Sequence, residues 1–272
     1  MPLDKKTDLH TFKLKNNIKH HYLKSNMYKR FNKQYFKLSY NQLLILDTLF
    51  ESGSLEKKYI DSSNKLRYSE HFGLLDFNHK ILEKIIVSAK TNQEDKNDLE
   101  ILMPSNMPDI KDYEYMFHTH PATPIAGSRI SDGVLYEFPS ISDIYHFAYH
   151  YNIGTTQGSL VIAPEGIYII KTIDGIKKIN YPVDEKTRKR MSTEVFKIQD
   201  LAINKYETNF SIDIFHKIIS KDNTYLKMLN RMIEKYWGRS IQIYLKPRSW
   251  DPKTNRWIMK SLILPVIAYE LK

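Results

Sequence analysis

The 272 residues contain no cysteine. That excludes a disulfide framework and any thiolate metal site, so a transition metal would have to be held by His, Asp or Glu. Long apolar runs are missing too. No stretch approaches the ~20 apolar residues of a membrane span, and Met1 to Asp8 lacks the apolar core of a secretory signal. The expectation is a soluble intracellular protein, cytoplasmic or nuclear. There is neither an internal repeat nor a low-complexity tract. What is present is 42% hydrophobic and 26% charged residues, enough for a sizeable core in one large domain with appendages or in two small ones.

The net charge of +10 is unevenly spread. Residues 1–37 carry ten Lys/Arg against two Asp/Glu, residues 38–182 thirteen against nineteen, and residues 183–272 eighteen against ten. An acidic centre between basic ends places the chemistry centrally and turns the ends toward something anionic, such as nucleic acid, a membrane surface or an acidic partner. A Lys-rich solvated surface accounts for the same numbers. The division we read is a basic N-terminal arm (1–37), a central domain (38–182) and a C-terminal helical and strand extension (183–272).

Residues 1–37 show no sustained period and read as a poorly ordered or peripheral arm. Ser39-Tyr40-Asn41-Gln42 has capping-box spacing and opens a helix with Leu43, Leu44, Leu46, Leu49 and Phe50 on its apolar face, ending near Ser52-Gly53. Leu66 to Phe77, Ile81 to Val87 and Tyr113 to His120 read as strands, with a polar surface loop at Thr91 to Asp98. Ile141 to Tyr151 reads as a helix. Ser159 to Ala163 and Gly166 to Thr172 form a tight hairpin at Pro164-Glu165. Helices over Glu185 to Ala202 and Ile212 to Tyr236 follow, then strand-like Ile241 to Leu245 and Trp257 to Ile267. The fold class this order implies is α/β (α+β), a mixed sheet flanked by helices.

The chemistry concentrates in Phe117-His118-Thr119-His120-Pro121 and Pro139-Ser140-Ile141-Ser142-Asp143. Histidines one residue apart on a strand share a face, with Cα atoms roughly 6.5 to 7 Å apart, so both imidazoles can reach one ion. Asp143 at the next helix start is a third candidate ligand. His, His and Asp leave one tetrahedral position of Zn2+ open, which is the catalytic arrangement. Each piece has an ordinary reading: alternate histidines on a strand are often incidental, and Ser-x-x-Asp is what a good helix start looks like. A general base should complete the set. The candidate is Glu70 in Glu70-His71-Phe72-Gly73-Leu74-Leu75, where Gly73 permits close backbone approach. Elsewhere, His146 and His150 stand at metal-compatible i, i+4 spacing with no accompanying Glu, Glu114 reads as structural, and the C-terminal aromatics Tyr236, Trp237, Tyr244, Trp250 and Trp257 read as core or as base-stacking residues.

Glu-x-x-Gly-x-Leu, then a strand ending His-x-His-Pro, then Ser-x-x-Asp at a helix start resembles the JAMM (MPN-plus) metalloprotease family, zinc isopeptidases that remove ubiquitin and ubiquitin-like proteins. The resemblance covers roughly residues 39–180. It implies a JAMM/MPN-like fold in which His118, His120 and Asp143 ligate Zn2+, Glu70 activates water and Ser140 helps hold the tetrahedral oxyanion. It also implies ubiquitin or ubiquitin-like conjugates as substrates, and many members of that family work within larger assemblies. One departure stands out: twenty-two residues separate His120 from Asp143, where the family has a much shorter loop. Ser128 with Asp132 is a competing pair with the wrong internal spacing. The extra residues, near Gly127 to Phe138, read as an insertion beside the site that could select substrates. Two rivals remain: a non-catalytic MPN scaffold, and a nucleic-acid-tethered interaction module.

Overall fold

The computed structural model describes residues 9–13, 28–30, 32–52, 58–60, 66–68, 70–88, 113–120, 126–173, 176–182, 184–206 and 209–271. The expected loop at Thr91 to Asp98 lies outside them. In chain order the first elements are β1 (Leu9–Lys13), β2 (Tyr28–Arg30), β3 (Gln34–Leu38), α1 (Tyr40–Ser52), β4 (Lys58–Ile60) and β5 (Leu66–Tyr68). The central elements are β6 (Phe72–Phe77), β7 (Leu82–Ser88), β8 (Tyr115–Thr119), α2 (Ile141–Ile153), β9 (Gly158–Ala163) and β10 (Gly166–Thr172). Next come α3 (Glu185–Tyr206), α4 (Ile212–Lys217), α5 (Thr224–Trp237) and β11 (Ile241–Pro247). Three short strands and one longer one close the chain: β12 (Ser249–Asp251), β13 (Arg256–Ile258), β14 (Leu262–Val266) and β15 (Tyr269–Leu271).

The fold is a mixed α/β arrangement built on a sheet with strand order β1-β7-β6-β8-β9-β10-β11. β8 and β9 pair in parallel. Antiparallel strands need only a tight turn, whereas a parallel pair needs a crossover, and α2 is that crossover. α2 therefore starts at the end of the sheet where β8 finishes, so its first turn and the two histidines meet there. Gly73 is obligatory on the neighbouring strand: a Cβ would lie 2.2 Å from the Ile86 carbonyl oxygen and 2.3 Å from the Phe117 ring.

α1 forms where its capping box directs it. The Ser39 N–H donates to Gln42 Oε1 at 2.7 Å and the Gln42 N–H to Ser39 Oγ at 3.3 Å, a motif worth about 1 kcal/mol. Leu43, Leu46 and Phe50 then recur on one side of the helix and pack with Leu75, Phe117, Leu160 and Ile162 on one face of the sheet. The opposite face carries Val161, Tyr168, Ile170 and Ile243, covered by Ile144 and Phe147 of α2, Met191 and Ile198 of α3, and Leu229 and Ile233 of α5.

The described parts of the basic arm are strands. β1 pairs with β7 along the edge of the main sheet, and β3 pairs with β14. An unpaired edge of β7 would leave a row of backbone donors and acceptors without partners, which β1 supplies. The C-terminal segment is built into the same body, since β11 pairs with β10 over seven residues. Arg248 ties the segment to α1 and the β9–β10 turn: its guanidinium donates to Asp47 Oδ1 of α1 at 2.6 Å and to the Pro164 carbonyl at 3.1 Å, and Asp47 Oδ2 accepts the Met259 N–H at 3.1 Å.

Several element boundaries differ from the sequence reading, and Trp257 to Ile267 is two strands, β13 and β14. Leu66 to Phe77 is two strands: β5 pairs with β4, and the ladder of β6 with β8 takes over from His71, whose carbonyl accepts the Thr119 N–H at 2.9 Å. Ile212 to Tyr236 is α4, a short 3-10 turn and α5. Asp222 Oδ1 accepts the Thr224 N–H at 2.9 Å, an Asx turn that breaks the helical path in the middle of the apolar pattern.

Candidate metal centre

β8 is buried along its whole length, and its pairing sets the histidines opposite the proposed base. Phe72 faces His118 across the antiparallel ladder, so continuing the register by two residues sets Glu70 opposite His120. Glu70 is half-buried, and its charge reaches His118, whose proton affinity it raises.

α2 opens on a complete capping box. The Asp143 N–H donates to Ser140 Oγ at 3.1 Å, and Asp143 Oδ2 accepts the Ser140 N–H at 2.6 Å. Asp143 Oδ1 faces the strand and lies 3.4 Å from His118 Nε2. That nitrogen is buried and makes no hydrogen bond among the described residues. His120 stands beside it, ring centroids 5.7 Å apart and nearly perpendicular. Its Nδ1 lies 3.2 Å from the Glu137 carbonyl oxygen, a contact that puts the proton on Nδ1 and leaves Nε2 with a free lone pair.

The electrostatics follow from burial and proximity. Burial lowers the proton affinity of His118, but the Asp143 carboxylate outweighs it and the net shift is upward. Burial pushes His120 down to about 4, so it is neutral and able to ligate. Burial alone would raise Asp143, yet His118, then His120 and the Ser140 N–H hold its carboxyl well below the usual carboxylate range.

The donor set fits zinc by type, since His nitrogen and Asp oxygen are ordinary zinc ligands. It fits by the spacing of its first pair as well: two ligands ~2.0 to 2.1 Å from a tetrahedral ion are about 3.3 Å apart, against the observed 3.4 Å. Among the described residues no three donors stand at coordination spacing at once. His118 and Asp143 do as a pair, with His120 next to them and its Nδ1 held by a carbonyl, as metal-bound imidazoles are.

The remaining candidates sort by position. Asp132 is exposed on a short 3-10 turn and pairs with Arg129 at 3.4 Å, whereas Asp143 is on α2 beside His118. Glu114 is buried and accepts the Phe77 N–H at 2.9 Å, a structural role. His146 is half-buried and within Coulombic reach of Asp143 and His118; His150 is buried against the Tyr149 ring. Trp237 is core, Tyr244 and Trp250 are exposed, and Trp257 stacks on His216 with centroids 4.8 Å apart.

Two residues of the loop between the ligands escaped the sequence reading. Glu137 is buried and pairs with Arg129 at 3.0 Å; burial pushes its carboxyl up to about 8 against the pull of Arg129. Opposite charges eight positions apart in an irregular loop carry no period, so only the fold reveals the pair.

The chain is 35% identical over 242 residues to an uncharacterized protein of Acanthamoeba polyphaga mimivirus, an alignment that covers 86% of this chain and 66% of that one. It is longer than segment 39–180, so the similarity takes in flanking residues as well. No family model matches the chain, and no solved structure matches it. No described helix is long and apolar enough to cross a membrane.

Proposed function

We propose that the chain is a JAMM-type zinc isopeptidase that hydrolyses the amide bond between a ubiquitin-like C-terminal tail and lysine. The observation that carries this reading is the buried His118 Nε2, without a hydrogen bond and 3.4 Å from a carboxylate oxygen that the helix cap holds in place. His118, His120 and Asp143 would hold the ion. When bound, zinc would supply Lewis acidity toward an amide carbonyl and a water molecule. Glu70, two residues ahead of β6, takes a proton from the attacking water and delivers it to the leaving lysine amine. Ser140 Oγ accepts the Asp143 N–H on one lone pair, which leaves its hydroxyl proton for a developing oxyanion.

The test is cleavage of a panel of ubiquitin and ubiquitin-like isopeptide conjugates by zinc-loaded protein, with Glu70→Gln beside it. The reading expects chelator-sensitive turnover that falls roughly 10²- to 10⁴-fold in the variant, the usual contribution of a positioned base, with zinc retained. Equal turnover would remove Glu70 from the role, and loss of zinc would make it a ligand.

A second reading, binding of an anionic partner such as nucleic acid, is favoured by one feature of α3. Lys186, Arg190 and Lys197 are exposed and fall four and seven residues apart, on one side of the helix. Oligonucleotide binding with a steep inverse dependence on salt supports it; binding that ignores salt rejects it.

A further inference from the structure

The segment that carries Glu137 is buried yet belongs to no sheet. Residues 135–139 are all buried, and irregular backbone in a core needs partners for its N–H and C=O groups. One side chain supplies three of them. Gln199 of α3, itself buried, accepts the Leu135 and Tyr136 N–H groups on Oε1, both at 3.1 Å, and donates from Nε2 to the Tyr136 carbonyl at 2.5 Å. The amide thus stands in for a neighbouring strand, fixing both polar groups of Tyr136.

The next carbonyl along the chain, that of Glu137, faces His120 Nδ1, and three residues further Ser140 begins the cap that sets Asp143. The tie is reinforced nearby: the Tyr136 hydroxyl donates to the Ile219 carbonyl at 2.8 Å, and its ring stacks on Phe138 with centroids 5.2 Å apart. We infer that Gln199 is a positioning residue for the metal centre. It holds the backbone that orients the Glu137 carbonyl, and through it the ring and tautomer of His120. The inference rests on the zinc reading for its functional meaning, but the structural link from Gln199 to His120 is independent of it. It also makes α3, the first helix of the C-terminal extension, part of the site rather than an appendage to it.

The experiment uses the full chain and three forms: wild type, Gln199→Met, and Asn230→Leu as the control. Asn230 forms the same kind of amide clamp on Ile243 of β11, accepting its N–H and donating to its carbonyl at 2.8 and 2.9 Å, away from the ligands. Zinc affinity is read by competition with a chromophoric chelator, and the His120 tautomer by ¹⁵N shifts of the metal-free protein. Gln199→Met should weaken zinc binding by roughly 10- to 100-fold, the usual effect of losing a partner that orients a ligand, and move the His120 ¹⁵N shifts. Asn230→Leu should change neither while shifting thermal stability comparably. Should Gln199→Met not fold, Gln199→Glu keeps the acceptor for both N–H groups, loses the donor to Tyr136, and should shift His120 in the same direction. Unchanged His120 shifts in a folded Gln199 variant overturn the inference. A wild type that takes up no zinc but whose His120 shifts still answer to Gln199 overturns the zinc reading and leaves the positioning role standing.

Discussion

His118 Nε2 and Asp143 Oδ1 lie 3.4 Å apart, both buried, one on the sheet and one on the helix that crosses over it. Asp143 divides its carboxylate, one oxygen accepting the N–H of its own cap and the other facing the histidine. The helix start and the candidate ligand are therefore one device. A capping box that would be ordinary on any surface helix here aims a charge at a buried imidazole.

Ser140 joins stability to chemistry, and the two can be separated. Ser140→Gly should leave thermal stability within a few tenths of a kcal/mol, because glycine is tolerated at this cap position. Turnover should fall by roughly 10²-fold or more, as when one oxyanion donor is removed. Kinetics with a thermal melt beside them decide it; unchanged turnover would confine Ser140 to capping.

Asp47 and Arg248 form a buried ion pair between α1 and the end of β11, at 2.6 Å. Asp47→Ala strands the guanidinium and should cost about 3 to 5 kcal/mol by chemical denaturation. Adding Arg248→Met to it should recover part of that loss. A cost under about 1 kcal/mol, the range of an exposed pair, would show that the contact is not buried in solution.

Glu165 gives a pH dependence of known sign. Burial pushes its carboxyl up to about 7, against the Tyr168 hydroxyl that donates to it at 2.6 Å and nearby backbone N–H groups. A raised carboxyl pKa means that the folded chain keeps a proton the unfolded chain releases. The resulting stability is complete below the unfolded value near 4.5 and is lost as pH rises through about 7. Glu165→Gln stays neutral, so its melting temperature should gain on wild type between about pH 5 and about pH 7.5. A constant difference across that window would mean that Glu165 is ionised throughout.

The parts of the fold visible in the sequence are the local ones. Ser39 with Gln42, Ser140 with Asp143 and the turn at Pro164-Glu165 are each written in a few adjacent residues, and each forms as read. The rest depends on partners distant in sequence. Leu9–Lys13 lies in an arm with no sustained period, and nothing in those five residues says that Leu9 will face Ser88. Nor can a helical period show that Gln199, one polar residue on α3, turns inward to hold Tyr136. For the site, His118 and His120 on one strand and Asp143 at a helix start are short local patterns, and the structure sets His118 beside Asp143, while their roles and that of Glu70 belong to the proposal. Glu137 and Arg129 were not readable, because only tertiary packing brings a loop carboxylate and its carbonyl to the histidine.

The central claim is that His118, His120 and Asp143 hold one zinc ion, and metal stoichiometry tests it most directly. The full chain, stripped with chelator, reloaded with zinc and desalted, should carry about one zinc per chain. Asp143→Ala and His118→Ala should carry almost none while remaining folded, since most of the core is independent of the metal. A folded wild type that retains no zinc, or variants that retain as much as wild type, would contradict the account.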